Sequence, residues 1–227
     1  MVNGPLTWSY KSKILPMIRF VDSLLDMGTG GGEFLASLIP LPTHTCATEG
    51  YEPNISVARN LLKPLGVKVF HYDYDEDLPF GDEKFELIIN RHESYSPIEV
   101  FRLLKPGGIF ITQQVGVNND SKLRFILTNK ENFENNVEWK FENVVKKLEL
   151  AGFQITESQE NITPTRIYDV GAIVYYLKAI PWELPGFSVE KYRGKLIEIH
   201  NHIIKRDYLD LDGNNHRFLI RAKKPVS

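Results

Sequence analysis

The sequence predicts an α/β fold: a mostly parallel sheet of seven strands flanked by helices, with a helical insertion before the last strand. Three observations carry it. The apolar run Ser23 to Met27 breaks into four glycines within five residues and resumes at Glu33 with apolar residues at helical spacing. Strand, glycine turn and helix form the entry to a doubly wound nucleotide-binding sheet. Short apolar runs and helical patterns then alternate along the chain, which is the signature of parallel strands joined by helices. Finally, Glu49 closes the second strand about 20 residues beyond Asp26, the spacing at which an acid meets the ribose of a bound nucleoside.

Taken in order, Thr7 to Asp22 carries Trp8, Tyr10, Ile14, Leu15, Ile18 and Val21, an apolar set that suits a helix interrupted by Pro16. The glycines after Met27 permit a tight turn with positive φ and leave no Cβ between backbone and ligand. Glu33 stands where a dinucleotide fingerprint needs its third glycine. Asp26 would repel a pyrophosphate but suits a ligand with a cationic amino group. Pro40-Leu41-Pro42 stops the first helix, and residues 43–49 read as the second strand. Glu49 is the ribose candidate, with Glu52 as its rival in the following turn. A helix over 55–65 ends at Gly66, and 67–72 alternates as the third strand. Residues 85–90 read as the fourth strand, which ends in the polar pentad Arg91-His92-Glu93-Ser94-Tyr95. Ser96 and Pro97 read as N-cap and first residue of a helix that runs on over 98–104. Lys105-Pro106-Gly107-Gly108 leads into the fifth strand, 109–115, which brings Gln113 and Gln114 toward the cleft. Residues 120–137 read as a helical insertion or cap, 137–151 as a helix, and 153–158 as the sixth strand. Apolar helical patterns over 168–180 and 189–205 flank Trp182, and 217–222 reads as the last strand.

Leu25-Asp26-Met27-Gly28-Thr29-Gly30-Gly31-Gly32 resembles motif I of the class I, Rossmann-like S-adenosylmethionine-dependent methyltransferases. Leu78-Pro79-Phe80 and Arg102 to Gly108 resemble later segments of that family, so the likeness spans residues 23 to 115 and, weakly, the last strand. The resemblance implies a single methyltransferase domain over 1–227, with an N-terminal helical lid (1–22), a cofactor-binding half (23–115) and a substrate-shaping half (116–227). A plain helix packed on the sheet is the other reading of the N-terminal segment. It implies S-adenosylmethionine as cofactor, held by Asp26, Gly28, Gly30, Gly32, Glu49, Asp73, Tyr74 and Asn90. The acid at the adenine is offset by one residue from the family pattern, so Asp75 competes with Asp73. His92, able to titrate near neutral pH, and Glu93 are the catalytic candidates. Arg91, Tyr95, Gln114, Tyr176 and Trp182 are the substrate-binding candidates, although aromatic residues at helical spacing also suit core packing.

The composition narrows the function. A net charge of -2 supplies no global drive toward nucleic acid, which counts against RNA; a small-molecule acceptor is the first expectation, and RNA or protein the variant. A binding protein without turnover is the reading from another class. Asn90-Arg91-His92-Glu93 replaces the Asn-Pro-Pro-Tyr signature of amino-group methylation on bases, and Glu33 and Asp26 oppose a nicotinamide enzyme. The single cysteine, Cys46, cannot form an intrachain disulfide and fits a reducing cytoplasm. No apolar run is long enough to span a membrane. No metal is expected: His71 and its acids lie on contiguous residues whose side chains diverge, and His200 and His202 face different sides of a helix. The sequence sets no oligomeric state.

Overall fold

The computed structural model describes residues 1–130 and 139–226. The elements run β1 (Val2–Asn3), α1 (Tyr10–Ile18), β2 (Ser23–Met27), α2 (Glu33–Ala36), β3 (His44–Glu49), α3 (Glu52–Leu62), β4 (Lys68–His71), β5 (Phe85–Arg91), α4 (Pro97–Leu103) and β6 (Leu104–Val115). They continue with α5 (Ser121–Thr128), α6 (Phe141–Leu150), β7 (Gln154–Ile167), α7 (Val170–Ala179), α8 (Val189–Arg206) and β8 (Leu209–Lys223). The sheet order is β1-β7-β8-β6-β5-β2-β3-β4. Strands β6, β5, β2, β3 and β4 are parallel.

The sheet has eight strands where seven were expected. The additional strand, β1, is two residues long and pairs antiparallel with β7, Val2 opposite Arg166. So short an element carries no periodicity. Strands β7 and β8 also extend well beyond the expected 153–158 and 217–222. The second half of β7, Glu160 to Arg166, alternates mostly polar residues on both faces, so it lacks the apolar row that marks a strand. The helices of the expected insertion before the last strand are present as α7 and α8. Of the expected insertion over 120–137 and helix over 137–151, residues 131–137 and 137–138 respectively lie outside the described residues.

The chain divides into two compact units. One comprises residues 8–114, 141–159 and 218–227, the other 1–7, 115–140 and 160–217. In the first unit, every residue of β2 is buried, and Leu24, Leu25, Leu87, Ile88, Ile89, Phe110 and Ile111 are fully enclosed. Parallel strands covered on both faces are continuously apolar for this reason. Each such side chain contributes about 1.5–3 kcal/mol of burial free energy. The apolar run ends where the strands reach Asp26, Glu49 and Asn90, so polar groups collect at one edge of the sheet. Ser9 caps α1 by accepting from the Ser12 N–H at 3.3 Å, and Ser96 caps α4 by accepting from the Glu99 N–H. In the second unit, Leu123, Leu127, Ile173, Leu177, Leu196, Ile199 and Ile203 from α5, α7 and α8 form a separate apolar core.

Candidate active site

The turn after β2 is bent by three glycines in the left-handed region, Gly28, Gly30 and Gly32. A Cβ on Gly30 would meet no atom within 4 Å, so the turn presents open space there. Two neighbouring strand ends hold the turn. Thr48 accepts from the Gly28 N–H through its hydroxyl at 3.4 Å and from the Thr29 N–H through its carbonyl at 2.9 Å. Glu49 Oε2 accepts from the Gly30 N–H at 2.6 Å, and Oε1 from the Tyr51 N–H at 2.8 Å. Glu49 is therefore the buried acid on the glycine turn. Glu52 lies exposed in the first turn of α3.

Asp26 is buried at the end of β2. Burial raises its carboxyl to about 7; Arg91 opposes that shift and Glu49 adds to it. The Thr29 hydroxyl stands close to it but outside hydrogen-bond geometry, and Asp26 Oδ2 has no hydrogen-bond partner among the described residues. Asn90, next to it on β5 in register with Met27, is fully buried. Its Oδ1 accepts from Thr112 at 2.8 Å and from Gln114 Nε2 at 2.5 Å. Those bonds fix the amide orientation and leave Asn90 Nδ2 as a buried donor without a partner among the described residues. A buried polar group left unmatched is costly. One orphan acceptor and one orphan donor on adjacent strand ends suit a ligand that carries an ammonium and a carboxylate together.

The N-terminal helix contributes directly to this edge. The Tyr10 hydroxyl donates to the Asn90 carbonyl at 2.8 Å and accepts from the Asn90 N–H at 3.0 Å. Its ring stacks on Phe34, over which the Arg91 guanidinium lies 4.4 Å from the ring centre. Trp8 Nε1 donates to Gln113 Oε1 at 2.9 Å. Because an indole N–H only donates, the Gln113 amide must present its Nε2 to His92, 3.3 Å away. His92 Nε2 is the acceptor in that contact. His92 itself is exposed and adopts φ 61°.

Residues after β4 form a second wall. Glu99, buried on α4, accepts from the Leu78 N–H at 2.8 Å and pairs with Arg102, which also donates to the Phe80 carbonyl at 2.9 Å. Phe80 then packs edge-on against Phe70 and Phe85. This anchor holds the loop whose Tyr72, Asp73, Tyr74, Asp75 and Glu76 line a cavity of about 430 Å³ together with Gly50, Glu93 and Ser94. Asp73 is largely exposed beside His71, and Tyr74 is 72% exposed. Asp75 is less exposed and acts electrostatically on both Tyr72 and Glu93.

The structure thus gathers Asp26, Gly28, Gly30, Glu49, Asn90, Arg91, Glu93 and Gln114 at one sheet edge, while Gly32 packs over Leu62. The Tyr95 ring is buried edge-on to Phe110 at 4.9 Å. Tyr176 and Trp182 belong to the second unit. There Tyr176 donates to Asp120 Oδ2 at 2.6 Å, and Trp182 is 71% exposed. Tyr10, Trp8, Thr48 and Tyr72 were not singled out from the sequence as site residues. Each acts through a partner distant in sequence, so no local pattern marks it.

Among known proteins, residues 25–112 match the methyltransferase-domain family. The match covers that segment alone, and the chain shares its α/β fold with solved S-adenosylmethionine-dependent methyltransferases. None of the curated proteins matches the sequence. Among solved structures, a Bacillus halodurans C-125 protein described as a candidate methyltransferase is 19% identical, with a TM-score of 0.66 over 96% of this chain and 100% of that one. An S-adenosylmethionine-dependent methyltransferase from Mesorhizobium loti is 15% identical, with a TM-score of 0.60 over 97% and 98%. The [4+2]-cyclase SpnF is 17% identical, with a TM-score of 0.58 over 95% and 81%. No helix among the described residues is long and apolar enough to cross a membrane.

Proposed function

We propose that the chain transfers the methyl group of S-adenosylmethionine to a small-molecule acceptor in the cytoplasm. The observation that carries this reading is the pair of buried unmatched groups, Asp26 Oδ2 and Asn90 Nδ2, at the mouth of an open glycine turn. When bound, the cofactor supplies an electrophilic methyl group on a positively charged sulfur. The chain's own residues then bind and orient. Asp26 accepts from the amino group, Asn90 Nδ2 donates to the carboxylate, and Gly30 offers room for the chain that joins the amino acid to the nucleoside. Glu49 retains lone pairs beyond its two backbone bonds and accepts from the ribose hydroxyls. Asp75, or Asp73 in the same loop, meets the adenine, with Tyr74 over the ring. Alignment of acceptor and methyl group supplies most of the rate. His92 Nε2 takes a proton from an acceptor that must lose one, after its contact with Gln113 opens. In the second unit, Tyr176 and Trp182 are the substrate-shaping residues.

The small-molecule acceptor is favoured over RNA by the net charge of -2 and the lack of a Lys/Arg-rich segment. Because a [4+2]-cyclase shares this fold, methyl transfer is tested separately from binding. Calorimetric titration with S-adenosylmethionine, its demethylated product and NAD, repeated on Glu49→Ala, tests the cofactor. Tight binding of the first two, weakened about tenfold or more in the variant, is expected from loss of charge-assisted bonds. Binding of NAD alone would sink the reading. Release of labelled methyl to a panel of small acceptors then separates an enzyme from a non-catalytic binding protein.

A further inference from the structure

Glu93 leaves β5 on the loop toward α4, yet its side chain folds back over the glycine turn. A Cβ on Gly28 would stand 2.3 Å from Glu93 Cγ and 2.9 Å from its Oε2. The loop is pinned at this point, since Gln114 Nε2 donates to the Glu93 carbonyl at 2.8 Å. The Tyr72 hydroxyl lies 3.4 Å from Glu93 Oε1. The charged groups facing it are Glu49 from the end of β3 and Asp75 from the loop after β4. Together with burial they raise the Glu93 carboxyl, against the Tyr72 hydroxyl and the Ser94 backbone. Arg91, the adjacent cation, lies over Phe34 and acts on Asp26. Among the described residues no lysine or arginine forms an ion pair with Glu49, Asp75 or Glu93.

The order of these groups along the turn is informative. Asp26 and Asn90 mark the end that suits an amino acid. Glu49, bonded to Gly30, marks the end that suits a ribose. Gly28 lies between Asp26 and Gly30, and Glu93 covers it. In S-adenosylmethionine the atom that joins the amino-acid chain to the ribose is the charged sulfur. We propose that Glu93 faces this sulfonium and makes the site prefer the cationic methyl donor to its neutral demethylated product. The inference rests on the S-adenosylmethionine reading above and assigns Glu93 to the cofactor side of the site. A carboxylate so placed holds the donor and releases the product, because only the donor carries the charge it meets.

The test is calorimetric binding of S-adenosylmethionine and S-adenosylhomocysteine to the wild type and to the isosteric Glu93→Gln. The donor is expected to weaken about tenfold in the variant and the product by about twofold or less. In the wild type the affinity ratio of donor to product is expected to fall as pH drops, because burial and the neighbouring acids make Glu93 take up its proton at a higher pH than an ordinary carboxyl, and to flatten in the variant. Titration of Asp26 cancels in that ratio, since both ligands carry the same amino group. Equal weakening of both ligands, or a ratio with the same pH dependence in both proteins, would overturn the inference. The wild-type pH series needs no variant, so misfolding of Glu93→Gln cannot mask the answer. If the wild type binds neither ligand, the cofactor reading itself fails, an outcome distinct from equal weakening.

Discussion

Replacing Asp26 with Asn should separate stability from cofactor binding, with opposite signs. In the folded chain burial lifts the Asp26 carboxyl from an ordinary value of 3.8 to about 7. The unfolded chain releases that proton near 4, so between those values the native state binds more protons and stability falls as pH rises. At pH 5 the protonated Asp26 is almost fully present in the native state, and by pH 8 its contribution is gone. With a folded value near 7, the loss over that interval is about 2.5 kcal/mol, at 1.36 kcal/mol per unit between pH 5 and 7. Asparagine resembles the protonated acid in shape and carries no charge to bury. Asp26→Asn should therefore lack this loss and exceed the wild type at pH 8 by about 2.5 kcal/mol more than at pH 5. Urea unfolding of both proteins at the two pH values measures the difference directly. The same substitution removes the anionic partner of the ligand's amino group, so affinity for S-adenosylmethionine should fall. If wild type and variant lose equal stability between pH 5 and pH 8, the carboxyl is not displaced and the reasoning from burial is wrong.

Two further perturbations probe the neighbouring contacts. Tyr10→Phe removes the hydroxyl that bridges the Asn90 N–H and carbonyl, which leaves buried groups unmatched. A loss of about 1–3 kcal/mol in urea unfolding is expected, and no loss would mean that the bridge carries no net stability. Gly28→Ala and Gly30→Ala share the strain of positive φ, but only the Cβ at Gly28 runs into Glu93. The Gly28 variant should unfold at the lower temperature, while the Gly30 variant keeps more stability and loses cofactor affinity. Equal melting temperatures would refute the placement of Glu93 over the turn.

Much of the first unit was legible in the sequence because its signals are local. Ser23 to Met27 is a strand at the expected boundaries, since a doubly covered parallel strand is apolar at every position. The glycine turn, the Ser96 cap and the terminator at Gly66 are written in single residues that few other conformations tolerate. Glu49 was legible through its distance from Asp26, because one strand–helix–strand passage has a nearly constant length. What stayed hidden depends on residues far apart in the chain. The mostly polar second half of β7 shows as a strand only through its partners. That Asp75 acts electrostatically on Tyr72 and Glu93 depends on the fold of the loop after β4, which no local pattern marks.

The sequence alone determined the class of sheet, the glycine turn, the acids beside it and the helices before the last strand. Periodicity and steric tolerance are properties of neighbouring residues, and they survive without a fold. Only the tertiary structure decided that Tyr10 holds Asn90, that Trp8 orients Gln113 toward His92, and that Glu93 covers Gly28. Each of these contacts joins separate strands or helices. Their geometry exists only once the sheet has brought those strand ends together, and so does the burial that displaces the Asp26 carboxyl.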